Sequence, residues 1–176
     1  MTRATRCILL ALLVSAGLAV WFWLGWLEQS YDLPYSLIED GLYLGSSVRE
    51  PPPGTQAVVN LCGREDPYKV DASLWEPILE GGPQEPDLPW LKRVVAFITE
   101  QRDAGRTTYI HCMNGVNRSA FVTIAYLMAK HGLSRDEAFA LVRARRPAIQ
   151  PSPELLVLLD GWQDALREDS VKEGLP

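Results

Sequence analysis

The sequence is poor in cysteine. Three stand in 176 residues, at 7, 62 and 112, with no spacing that suits a metal and no pattern that spells a disulfide framework. It has no internal repeat. It also lacks any surplus of positive charge: 17 Lys and Arg face 22 Asp and Glu, a formal −5. Arg3 and Arg6 precede the first long apolar run, and from residue 28 onward the balance is −7. A domain of that sign has no global attraction for nucleic acid or anionic lipid, which leaves only a local basic pocket open.

Charge of either sign is absent from CILLALLVSAGLAVWFWLGWL, residues 7–27. As a helix rising about 1.5 Å per residue this run reaches about 30 Å, the thickness of a bilayer's hydrocarbon core. A buried soluble helix of that length would carry a polar face. A cleaved signal peptide would use Gly17 and Ala19 before its cut and leave VWFWLGWL as a naked apolar start. An uncleaved single-pass anchor sets Trp21, Trp23 and Trp26 at the second interface, where indole rings favour the headgroup boundary. The anchor is the better reading. Arg3 and Arg6 before the span, with Glu28 and Asp32 after it, place the N-terminus in the cytoplasm. That rule sends the folded part across, an uncomfortable place for a reactive thiol, so the side it faces stays open.

The expected organisation is an N-terminal anchor over 1–27, a linker over 28–36, a globular domain over 37–168 and a flexible tail over 169–176. Within the domain, SLIEDGLYLGSS reads as two short strands around a glycine turn, TQAVVNLC as a buried strand and LWEPIL as another. EGGPQEPDLP, residues 80–89, is a Gly/Pro-rich loop. WLKRVVAFITEQRDAG has helical apolar spacing and ends at Gly105. TTYIHC is a strand. AFVTIAYLMAKHG is an apolar, buried helix closed by Gly132. SRDEAFALVRARRP opens on a capping-box pair, Ser134 and Glu137, and stops before Pro147. SPELLVLLDGWQDALRE starts with Ser152 as cap. Strands alternating with helices predict an α/β domain with a mainly parallel central sheet flanked by helices. Arg143, Arg145 and Arg146 read as a solvated helix end.

One junction carries chemistry. The strand TTYIHC runs into Met113, Asn114, Gly115, Val116 and Asn117, then into the buried helix that follows Arg118 and Ser119. A strand, a tight loop and a helix N-terminus form a cradle for an anion, because loop N–H groups converge and the helix end adds positive partial charge. Gly115 can take the positive φ that the curl requires. Arg118 offers a planar fork for two phosphate oxygens. The same field lowers the pKa of Cys112 from about 8.5 into the range of about 3.5–7.5. A thiolate there can attack the phosphorus of a bound phosphoester. Ser119 can donate to the sulfur when it leaves.

H-C-x-x-G-x-x-R-S, residues 111–119, resembles the signature of the cysteine-dependent phosphatases. With GLYLGS (41–46), VVNLC (58–62), AYLMAKHGLSRDEA and VRARRP, the chain resembles their dual-specificity branch over roughly 36–165. The resemblance implies a cysteine-phosphatase fold and a two-step hydrolysis through a thiophosphate on Cys112, with neither metal nor organic cofactor. It makes His111 a residue that orients the Cys112 backbone. It also calls for a general acid some 30 residues upstream, where relatives often read D-G-G-P. Here Glu80 holds that place, with Asp87 as the other candidate. A similar N-L-C occurs in lipid-directed relatives, so Cys62 is a candidate redox partner for the nucleophile; an apolar strand filler is the plainer alternative. Such relatives tend to carry basic residues inside the loop. Residues 113–117 contain none, which favours a phosphorylated protein or simple phosphoester over an inositol lipid. The alternatives are a lipid-directed phosphatase and a silent phosphate-binding module.

Overall fold

The computed structural model describes residues 33–78 and 85–172. In chain order the elements are β1 (Tyr35–Glu39), β2 (Leu42–Ser46), β3 (Ala57–Asn60), β4 (Ala72–Trp75), α1 (Leu88–Asp103), β5 (Thr108–Cys112), α2 (Arg118–His131), α3 (Arg135–Arg145) and α4 (Pro153–Lys172). The apolar run 7–27, Glu80 and residues 173–176 lie outside the described residues. Among those described, no helix is long and apolar enough to cross a membrane.

The strands form one sheet in the order β1-β2-β5-β3-β4. β1 and β2 are an antiparallel hairpin turning at Gly41, whose φ of 68° favours glycine. The pairs β2–β5, β5–β3 and β3–β4 are all parallel. β5 therefore runs through the middle, and all five of its residues are buried. In such a sheet the C-terminal ends of the strands share one rim, the usual place for a binding site.

Alternation along the strands divides the interior. Leu42, Leu44, Val59, Ile110 and Cys112 join one apolar cluster with the buried sides of all four helices. A fully buried Leu or Ile contributes about 1.5–3 kcal/mol over an exposed one, so this face holds sheet and helices together. α2 is its centre, buried without a break from Ser119 to Met128. The opposite face carries Asn60, Tyr109 and His111, with Tyr109 stacked on His111 at 5.1 Å. α3 begins with the expected capping box of Ser134 and Glu137. Gly132, at φ 64°, closes α2 in the left-handed region.

Three expectations change. The strand anticipated at LWEPIL is Ala72–Trp75 instead: β3 is only four residues long, and Pro77 cannot donate to a further ladder bond. The tail expected from 169 is helical to Lys172, with Asp169 paired to Lys92 of α1 at 3.1 Å. Arg146 is not solvated. It is 4% exposed, with its guanidinium turned inward.

Candidate active site

The loop between β5 and α2 is held from below and from both sides. Gly115 sits at φ 66°, and a Cβ there would lie 2.5 Å from the carbonyl carbon of Gly45 and 2.8 Å from the Arg146 guanidinium. Both position and conformation demand glycine. Gly45 is equally confined, since its own Cβ would meet the Tyr109 hydroxyl at 2.7 Å. Arg146 donates from Nε to the Gly115 carbonyl at 2.7 Å, from one terminal nitrogen to the Asn114 carbonyl at 3.4 Å, and from the other to Ser36 Oγ at 3.2 Å. Turning these carbonyls down onto a cation leaves the loop's amides free to face the other way. The Gln150 amide donates to the Val116 carbonyl at 2.8 Å, and the Ser152 amide to Asn117 Oδ1 at 2.9 Å. Asn117 thus ties the loop to the start of α4 and makes no side-chain cap for α2.

Cys112 lies beneath this curl, 1% exposed. Its sulfur is 3.2 Å from Ser119 Oγ. Burial pushes the thiol up, yet the Ser119 hydroxyl and the backbone amides of Ser119, Gly115 and Asn114 outweigh it and hold the group below its ordinary value. The first turn of α2 carries no acidic side chain to oppose that field. Of the sources the sequence pointed to, the amides and the Ser119 hydroxyl lead, and the Arg118 guanidinium is not among the leading contributions. Arg118 instead donates to the Ile78 carbonyl at 2.9 Å and the Leu61 carbonyl at 3.5 Å. Its Nε is buried with no acceptor among the described residues, a donor suited to an anion oxygen. Met113 is half-exposed, and Asn114 and Val116 complete the loop around Gly115.

His111 points away from the sulfur, on the other face of β5. Its Nε2 is 3.1 Å from the Asp66 carboxylate and its Nδ1 is 3.8 Å from Cys62 Sγ. A carboxylate can only accept here, so Nε2 carries the proton. Burial and then the Cys112 charge push the Cys62 thiol up to about 11. Cys62 therefore stays an S–H, in contact with Nδ1. The ring is locked on three sides, by Asp66, Cys62 and Tyr109, and with it the backbone of Cys112.

Asp87 has a structural post. It caps α1, accepting from the Trp90 amide at 2.8 Å. It lines a hollow of about 420 Å³ with Glu76, Ile78, Trp90 and Arg93, and none of residues 111–119 borders that hollow. A hollow of about 450 Å³ opens on the His111 face, between Val58, Asp66 and Trp75, and Cys112 does not line it. Sequence reasoning missed Gly45, Asp66 and the inward course of Arg146. GLYLGS and VRARRP contain Gly45 and Arg146 without showing what they pack against, and nothing local marks Asp66.

Comparison with known proteins agrees with this geometry. Residues 55–165, more than half of the chain, match the family described as dual specificity phosphatase, catalytic domain, and the chain belongs to that family. It is 35% identical to human dual specificity protein phosphatase 8 over 89 residues, covering 51% of this chain and 14% of the relative. It is also 35% identical to human dual specificity phosphatase 28 over 105 residues, covering 60% of this chain and 59% of the relative. The chain thus spans less than two thirds of either. A mouse dual specificity phosphatase crystallised with zinc tungstate superposes with a TM-score of 0.70 at 26% identity, over 81% of this chain and 92% of that one.

Proposed function

We propose that this chain hydrolyses phosphoric monoesters, with proteins phosphorylated on tyrosine, serine or threonine as favoured substrates, and that residues 7–27 hold it on a membrane. The observation that carries the chemistry is Cys112, buried under converging amides and 3.2 Å from Ser119 Oγ. Loop amides and Arg118 take the phosphate oxygens, and the thiolate attacks phosphorus in line. The P–O bond breaks as the leaving oxygen accepts a proton. Water then attacks the phosphocysteine, the S–P bond breaks, and the Ser119 hydroxyl stabilises the departing sulfur. The tungstate held by the mouse relative is a tetrahedral oxyanion of the same shape.

Glu80 is the proposed acid, because Asp87 is engaged as a helix cap. Proton donation of this kind contributes about 10²–10⁴-fold. Glu80→Gln should slow alkyl phosphates by that factor and aryl phosphates far less. Equal slowing of both would remove Glu80 from the role. The anchor lends weight to a second reading, a lipid phosphoester substrate kept within reach. Full-length protein in detergent, assayed on an aryl phosphate, phosphopeptides and phosphoinositides beside Cys112→Ser, decides among these. Activity that is indifferent to Cys112→Ser would end the proposal. Protease protection on intact membranes tests the proposed cytoplasmic N-terminus.

A further inference from the structure

Arg64 stands at the rim of the catalytic loop. One terminal nitrogen donates to Ser47 Oγ at 3.2 Å and lies 3.9 Å from Met113 Sδ, the first residue after the nucleophile. Both partners are neutral. Among the described residues no carboxylate pairs with this guanidinium, although each of the six ion-paired Lys, Arg and His side chains other than His111 finds its acid on the outer surface. An uncompensated cation beside the site contrasts with an acidic chain.

Its placement is built by the fold. The buried Asn60 side chain accepts from the Cys62 amide at 2.8 Å and donates to the Arg64 carbonyl at 2.9 Å, closing the turn before the arginine. Two residues later Asp66 is fixed on His111. The backbone of Arg64 is therefore pinned on both sides while its side chain stays exposed. Ser47 is pinned too, its amide donating to the Met113 carbonyl at 3.3 Å. Three of the five guanidinium N–H groups have no protein acceptor among the described residues.

We infer that Arg64 is a specificity-determining residue that reads a second anionic group next to the scissile phosphate, and that the substrate is a phosphopeptide with a glutamate or aspartate flanking its phosphorylated residue. The inference rests on the phosphatase reading above. Met113, 42% exposed beside the guanidinium, supplies an apolar contact for the stem of that acidic side chain. A single accessory cation matches one carboxylate. The loop interior, with no basic side chain, offers nothing for further phosphates.

The test uses the full-length protein in detergent and two phosphopeptides that differ only in having Glu or Gln on both sides of the phosphorylated residue. The readout is the ratio of their kcat/KM within each variant, with an aryl phosphate as reference. The wild-type ratio should be about 5, carried by KM, the scale of one exposed ion pair. It should fall towards 1 at high salt, where the screening length is only about 3 Å. Arg64→Gln should bring the ratio to about 1, Arg64→Lys should keep part of it, and Arg167→Gln, a distant exposed cation on α4, should leave it alone. A wild-type ratio near 1, or one that survives Arg64→Gln, overturns the inference. So does an Arg64 dependence seen only with phosphoinositide vesicles. Failure to hydrolyse the aryl phosphate at all would instead strike the phosphatase reading.

Discussion

Cys112 ends β5, Cys62 lies two residues beyond the end of its parallel neighbour β3, and each exposes 1% of its surface. Their thiols are pushed in opposite directions. Burial raises both, and for Cys62 it prevails, taking the group to about 11. For Cys112 the Ser119 hydroxyl and three backbone amides reverse the sign. Exposure is matched, so the difference lies in what surrounds each sulfur: donors aim at Cys112, while the charge of Cys112 adds to burial at Cys62. Cys62 meets one imidazole nitrogen at 3.8 Å; Cys112 meets the Ser119 hydroxyl and the backbone amides of Ser119, Gly115 and Asn114. A reactive cysteine is thus made by the curl of the backbone around it, with burial acting against it.

The largest test of that contrast is removal of each sulfur. Cys112→Ser should lower kcat by about 10³-fold or more, while Cys62→Ala keeps turnover of the same order. Loss of activity in a folded Cys62→Ala protein would break the comparison. Next comes the curl itself. Gly115→Ala places a methyl group against the Gly45 carbonyl in a left-handed conformation, and a displacement of about 1 Å costs about 10²-fold in rate. In that variant Cys112 should titrate more like Cys62, read from the pH dependence of its alkylation.

In the wild-type protein the two should separate along the pH axis. Thiolate is the reacting form, so alkylation of Cys112 should level off as pH rises through a value below the usual thiol range of about 8.5. Cys62 should still be accelerating as pH approaches 11. Inorganic phosphate should slow the reaction at Cys112 alone. Mass spectrometry of the two peptides after timed alkylation measures both, and coincident curves would count against the account.

The smaller effects concern supports. Arg146→Met leaves the Gly115 and Asn114 carbonyls short of a buried donor, a cost of about 1–3 kcal/mol. Denaturant unfolding should register that loss, and the alkylation curve of Cys112 should shift with it. Asp87→Ala should cost about 1 kcal/mol through its cap on α1, and Asp87→Asn much less. Neither should move either cysteine's curve.

Much of this was legible in residue order because the decisive unit is contiguous. Residues 107–128 hold the strand, Cys112, Gly115, Arg118 and the helix start in one stretch, and local periodicity places each of them. The capping box at Ser134 and the glycine closures at 115 and 132 are also local rules, and they appear where the pattern puts them. β4 was misplaced because its extent depends on the length of β3 rather than on its own apolar content. Gly45, Asp66 and Arg146 escaped for a related reason. Gly45 matters because Gly115 comes against it, Asp66 because His111 lies 45 positions away, and Arg146 because the loop it braces is 31 positions back.

Residue order alone set which groups the site contains, since a nine-residue signature puts cysteine, glycine, arginine and serine on one strand–loop–helix turn. It also determined that the loop interior has no basic side chain and that 7–27 has no charge. What the folded arrangement added is which donors lower the Cys112 thiol, that Arg146 faces inward, and that Arg64 stands beside Met113. Those outcomes depend on the direction of N–H and C=O vectors and on contacts between distant segments, and neither is set until the strands have paired and the helices have closed over them.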